Sequence, residues 1–178
     1  MKRSLFLAAS LVALLALAMT SAGADPAGTV PVAGGGSELS FTGTFTITRF
    51  VAEDKQLQLQ GTLNGPLSSS NGGVEADVSE LPALLPVGTV DLACQPSQVT
   101  VATATATVAI PGFDAITLEG LALVRPVDPA DTALAEQVCQ VASDIDGHSK
   151  LKGRRLAEAV DALNALGGTW KLNSAGQT

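Results

Sequence analysis

Phe41, Gly43, Phe45 and Ile47 alternate with Thr42, Thr44, Thr46 and Thr48. A period of two sets one group on each face of a strand, and β-branched threonine suits the solvated face. The parity breaks at Arg49-Phe50, where a bulge is expected to return Phe50 to the core. Ala52-Glu53-Asp54-Lys55 is a polar turn, after which Leu57, Leu59, Gly61 and Leu63 alternate with Gln56, Gln58, Gln60 and Thr62. The two runs predict an antiparallel hairpin. Asn64-Gly65-Pro66 is expected to end its second strand, and 68–73 reads as a loop.

Val74, Ala76 and Val78 against Glu75, Asp77 and Ser79 predict a third strand. Residues 81–87 hold two prolines and read as an extended connection. Residues 90–93 form a short strand candidate leading to Cys94. The run 99–110 is β-branched with small side chains on both faces, which predicts one close-packed central strand. Pro111-Gly112 turns the chain, and 115–124 is a further strand with a parity change near Gly120.

The period then becomes helical. Asp128 is placed to cap, Pro129 suits the first helical position and Asp131 favours the positive helix end. Leu134, Val138, Val141 and Ile145 make one apolar stripe on a helix over about 129–146, which also carries Cys139. A second helix is predicted over about 150–166, with Leu156, Val160 and Leu163 inward and Gly167-Gly168 as its stop. Strands first and helices last give an α+β fold: an antiparallel β-sandwich or open β-barrel followed by a C-terminal helical pair. The domain is expected to occupy 38–172, with a tail at 173–178.

The N-terminus has a different pattern. Lys2 and Arg3 precede an almost wholly apolar run, and Ala22 and Ala24 form a small-residue cleavage site before Asp25. That order predicts a signal peptide over 1–24 and a secreted or otherwise extracytoplasmic chain. The Pro-, Gly- and Ala-rich stretch 25–37 reads as a flexible leader. No later stretch is long and apolar enough to span a membrane, and no cysteine adjoins the cleavage site to carry a lipid.

Cleavage after Ala24 leaves 154 of the 178 residues, which suits one domain. Removing Lys2 and Arg3 leaves eight cations against 17 acids, a net charge of −9. Such a chain lacks the clustered cations that a phosphate backbone demands, so nucleic acid is excluded as a partner. With no Tyr and one Trp, it also lacks the aromatics of a carbohydrate platform. The two cysteines, Cys94 and Cys139, default to a disulfide in an exported chain. Closing their 45-position loop is worth roughly 4 kcal/mol. A metal set built on two thiols and His148 is the competing, poorer reading. No cofactor motif stands out. Gly34-Gly35-Gly36 has the wrong spacing for a phosphate loop.

The stretch 41–50, Phe-Thr-Gly-Thr-Phe-Thr-Ile-Thr-Arg-Phe, followed by 56–63, Gln-Leu-Gln-Leu-Gln-Gly-Thr-Leu, resembles the opening hairpin of a group of small secreted bacterial proteins of unknown function. The resemblance continues at Pro86-Val87, at Cys94 and at 139–147. It implies a secreted domain with Cys94 and Cys139 paired, and it brings no catalytic residue with it. Between the cysteines the group is Leu-rich, whereas this chain has its Thr-Ala run.

His148 is the single histidine, so a Ser-His-Asp triad would have to use it. It lies in an expected inter-helix turn, and no G-x-S-x-G elbow is present. Asp144-Ile145-Asp146-Gly147 fails as a calcium loop, because Ala142 and Gly153 would occupy ligand positions. Lys150, Lys152, Arg154 and Arg155 form a candidate docking patch, with a solvated helix face as the plainer reading. Three functions follow: a non-enzymatic exported module acting by binding or in the cell envelope, a carrier of a small apolar ligand held between sheet and helices, and a hydrolase assembled from scattered Asp, Glu and Ser.

Overall fold

The structure is a computed structural model describing residues 27–54, 56–87, 97–146 and 153–173. It is mostly antiparallel β, with two helices near the C-terminus. The strands are β1 (Gly28–Gly35), β2 (Leu39–Glu53), β3 (Gln56–Ser69), β4 (Val74–Pro86), β5 (Gln98–Ala102), β6 (Ala106–Val108), β7 (Ile116–Leu118), β8 (Ala122–Pro126) and β9 (Lys171–Leu172). The helices are α1 (Thr132–Asp146) and α2 (Gly153–Ala165). Six strands in the order β4-β3-β2-β1-β7-β6 curl into a nearly closed, barrel-like sheet, and β5-β8-β9 form a second sheet. No helix among the described residues is long and apolar enough to cross a membrane.

The predicted hairpin is β2–β3. Phe45 pairs with Leu63 and Ile47 with Gly61, then the register slips so that Arg49 faces Gln60. Thr48 is the extra residue, and the bulge returns Phe50 to the interior at 2% exposure. β3 does not stop at Asn64-Gly65-Pro66 but bends there and continues to Ser69. The bend is held from outside the ladder: the Asn64 side-chain oxygen accepts the Glu80 N–H at 2.8 Å, while Glu80 takes a φ of 50°. For the same reason 81–87 is no loose connection, since β4 runs on to Pro86 opposite Gln58.

The expected flexible leader is a strand. β1 pairs with β2 from Gly28–Ile47 to Gly35–Ser40, burying Val30 and Val32. Its alternation is masked by Pro31. The Ala27 and Ala33 carbonyls point away from β2, to the Trp170 and Glu119 N–H groups. Pro31 shares their parity, so the donor it lacks would lie on the side away from β2, where proline is tolerated.

The expected single strand 99–110 is divided between the two sheets as β5 and β6, and its partner run divides as β7 and β8. The corner is fastened twice. Thr103 N–H donates to Leu121 O, and Leu121 N–H donates to Thr103 Oγ1, each at 2.8 Å. Gly120 permits the approach, because a Cβ there would stand 2.5 Å from Thr103 O. The same corner meets the end of β4 through a Val87–Thr103 bridge and an Ala104 N–H to Pro86 O bond. The strand candidate 90–93 lies outside the described residues.

Helix α1 is preceded by a 3-10 turn at Pro129–Asp131, and Asp128 makes no side-chain cap. Ala135 and Val138 of α1 are buried, as are Leu156, Ala159, Ala162 and Leu163 of α2. Gly167 and Gly168, both at positive φ, end α2. One contiguous core joins the barrel interior, the second sheet and both helices.

Candidate functional site

Three turns meet at one end of the barrel. The β1–β2 turn is tied to the β3–β4 turn by Ser70 N–H donating to Glu38 O at 2.8 Å. The β6–β7 turn lies beside them, with Ala115 O close to Gly36. Between them opens a cleft of about 750 Å³ lined by Glu38, Asn71, Glu75, Phe113 and Asp114, among others. Phe113 is one of the two exposed large apolar side chains among the described residues, at 39%. Neither Glu38, Glu75 nor Asp114 forms an ion pair with a described residue. The scaffold beneath is filled: Phe41, Phe45, Ile47, Leu63, Leu67 and Ile116 are at most 1% exposed.

A smaller cleft of about 320 Å³ lies between β2 and the end of α2. Its apolar wall is Phe50, Leu163 and Trp170, with the Phe50 and Trp170 rings edge-to-face at 5.3 Å. Because β1 pairs with β2 only as far as Ile47, the Phe50 peptide groups on that side have no strand opposite them. Asn164 substitutes for one: its Oδ1 accepts Phe50 N–H at 2.8 Å and its Nδ2 donates to Phe50 O at 3.0 Å. Arg49 stands at the cleft, its Nε donating to Gln60 Oε1 at 2.8 Å. A third cleft, of about 370 Å³, lies over the β7–β8 corner near Pro31 and Leu172.

Arg125 is the deepest charge among the described residues, at 5% exposure. Its Nη2 meets Asp131 at 3.0 Å and donates to Leu166 O, the last carbonyl of the α2 end. Nη1 donates to Pro126 O at 3.4 Å. Gly168 lies against the guanidinium, where Nε has no hydrogen-bond partner among the described residues. The group therefore binds β8, the 3-10 turn and α2 to one another. Asp131, expected to act on the helix dipole, spends its charge here.

Of the residues marked in the sequence, Cys139, Arg154 and Arg155 are described. Cys94, His148, Lys150 and Lys152 lie outside the described residues. Cys139 is half-buried on α1 beside Val138 and is not a free thiol. Arg154 is 92% exposed and pairs with Glu158 at 3.0 Å one helical turn on, and Arg155 is exposed and also partnered. The described part of the docking patch is therefore these two exposed arginines at the start of α2. No group of three or more His, Cys, Asp or Glu among the described residues is placed to hold a metal. Arg125, Asn164 and Phe113 were missed, and Arg125 carried a signal. It shares the parity of buried Leu123 in β8, and a cation at an inward strand position implies a buried partner. Comparison with family models, curated proteins and solved structures gives no match.

Proposed function

We propose that the chain is an exported, non-enzymatic β-rich module that binds a partner in or outside the cell envelope through its loop-end cleft. The observation that carries this reading is the exposed Phe113 set among Glu38, Glu75 and Asp114 on a filled barrel. Loops on a rigid scaffold are the usual seat of recognition, and an exposed aromatic beside carboxylates that pair with no described cation suits a surface with cations and apolar groups. The signal-peptide pattern and the resemblance of the hairpin to small secreted bacterial proteins support export. On the same reading, Cys139 pairs with Cys94 and anchors α1.

Fractionation of the native host tests the proposal. Wild-type mature protein is expected partly in the envelope fraction, and a variant carrying E38Q, E75Q, F113A and D114N is expected to move into the medium. Identical partition of the two would overturn the role of the cleft, and full-length cytoplasmic protein would overturn export.

A further inference from the structure

Resting on the reading that the chain binds a partner at its loop end, we infer that this partner is a polypeptide that adds an extended, cation-bearing segment to the free edge of β4 over residues 74–80. β4 and β6 are the two ends of the six-strand order and are not neighbours in the sheet. The seam between them is fastened at the end remote from the three turns, by the Val87–Thr103 bridge and the Ala104 N–H to Pro86 O bond. Nearer the turns β4 pairs with β3, and no described strand pairs with its outer edge. Such an edge leaves backbone N–H and C=O groups open and is a template for an added strand.

The two halves of the edge differ. Pro86 O faces away from β3, toward Ala104, and Pro82 shares its parity in the strand. Pro82 therefore has no donor to offer on the open side, which blunts the edge beyond residue 80. Residues 74–80 contain no proline. Val74 is 65% exposed there, and Glu75, Asp77 and Glu80 are exposed and form no ion pair with a described cation. Half-buried Ala76 and buried Val78 alternate with the first two acids. That alternation sets the chemistry of the added strand: cations beside the carboxylates and apolar side chains between them. A second copy of the chain is the wrong occupant. Antiparallel pairing of two such edges would set these acids against one another, and like charges directly opposite destabilise a sheet. Glu75 belongs both to this edge and to the cleft, so the added strand would run out beside the turns that carry Phe113.

The test is titration of purified mature protein with fluorescein-labelled Lys-Val-Lys-Val-Lys-Val, read by anisotropy. The same peptide N-methylated at every residue keeps charge and side chains but has no backbone donor. Glu-Val-Glu-Val-Glu-Val keeps the donors and reverses the charge. The expected result is saturable binding of the first, about tenfold weaker binding of the N-methylated form, the scale of two lost backbone hydrogen bonds, and none of the acidic peptide. Bound peptide should slow amide hydrogen exchange across 74–80. D77K combined with E80K, at two exposed positions outside the lining of the cleft, should weaken binding about tenfold with thermal unfolding unchanged. Equal binding of the N-methylated peptide, unchanged exchange across 74–80, no binding of any peptide, or a dimer of the chain that protects 74–80 without peptide would each overturn strand addition. None of these results decides the loop-end reading, which stands or falls on the envelope partition of the E38Q, E75Q, F113A and D114N variant.

Discussion

Asn164 and Arg125 hold the helices by polar contacts that strand and helix periodicity do not reveal. Asn164 completes the ladder of β2 where β1 stops, so N164A strands two peptide groups of a residue that is 2% exposed. A loss of about 2 kcal/mol is expected, and thermal unfolding should read it as a Tm lower by about 4–8 °C. R125M removes the partner of Leu166 O and of Asp131 together. Breaking a buried pair from one side costs about 3–5 kcal/mol. D131N should cost clearly less, because that side chain is 28% exposed and water can replace the lost ion pair. Urea unfolding of the two variants checks the order; equal losses would mean that the Leu166 bond contributes little. Neither role could be read in full from the chain. Asn164 looks like an ordinary solvent-facing helical residue until the β2 bulge is brought beneath it, 114 positions away in sequence.

Among the elements, the alternation of β2 and β3 from Phe41 to Leu63 and the bulge before Phe50 were legible, because one face is dry and one wet and a slip of register would exchange them; the continuation of β3 through Asn64-Gly65-Pro66 to Ser69 was not. The run 99–110 was not. Small Thr and Ala side chains fit either sheet, so the pattern contains no mark of the place where the strand changes sheets. That mark is Gly120 on the partner run, read in the sequence only as a change of parity. G120A should lose about 1–3 kcal/mol through overpacking, since the obstructing atom is the backbone oxygen of Thr103 and no rotamer can yield. G168A is a second case: the new Cβ would sit 2.9 Å from Arg125 Nε at a φ of 68°, and the expected result is a lower Tm than wild type. The proposed Cys94–Cys139 bridge belongs to this scale too. Titration of unfolded, unreduced protein should find no free thiol, and reduction should lower Tm by several degrees. Two free thiols per chain would refute the pairing. β1 was hidden for a different reason: its two inward valines are flanked by Gly, Pro and Ala, residues that announce a loop unless a neighbouring strand supplies the ladder.

At the scale of the molecule, sequence patterning gave the class of the fold but left sandwich and barrel undecided, because strand order is set by long-range pairings such as β1 with β7. The candidate clefts were illegible for the same reason: Glu38, Glu75 and Asp114 are separate solvent charges until three turns converge. Sequencing of the mature N-terminus should return Asp25 as its first residue; an uncleaved Met1 would refute the signal peptide. That cut would fall three residues before β1, whose entry point is fastened by Trp170 N–H to Ala27 O at 2.7 Å. The ribosome makes Ala27 long before Trp170. For most of its synthesis the first strand therefore lacks the contact that secures its start, and the helices lack Arg125's completed grip until Leu166 has been made. A long loop must close before these contacts reward it. The order in which the chain is made thus delays its own completion, and a polypeptide threaded head-first through a narrow pore would reach the far side before its last lock could form.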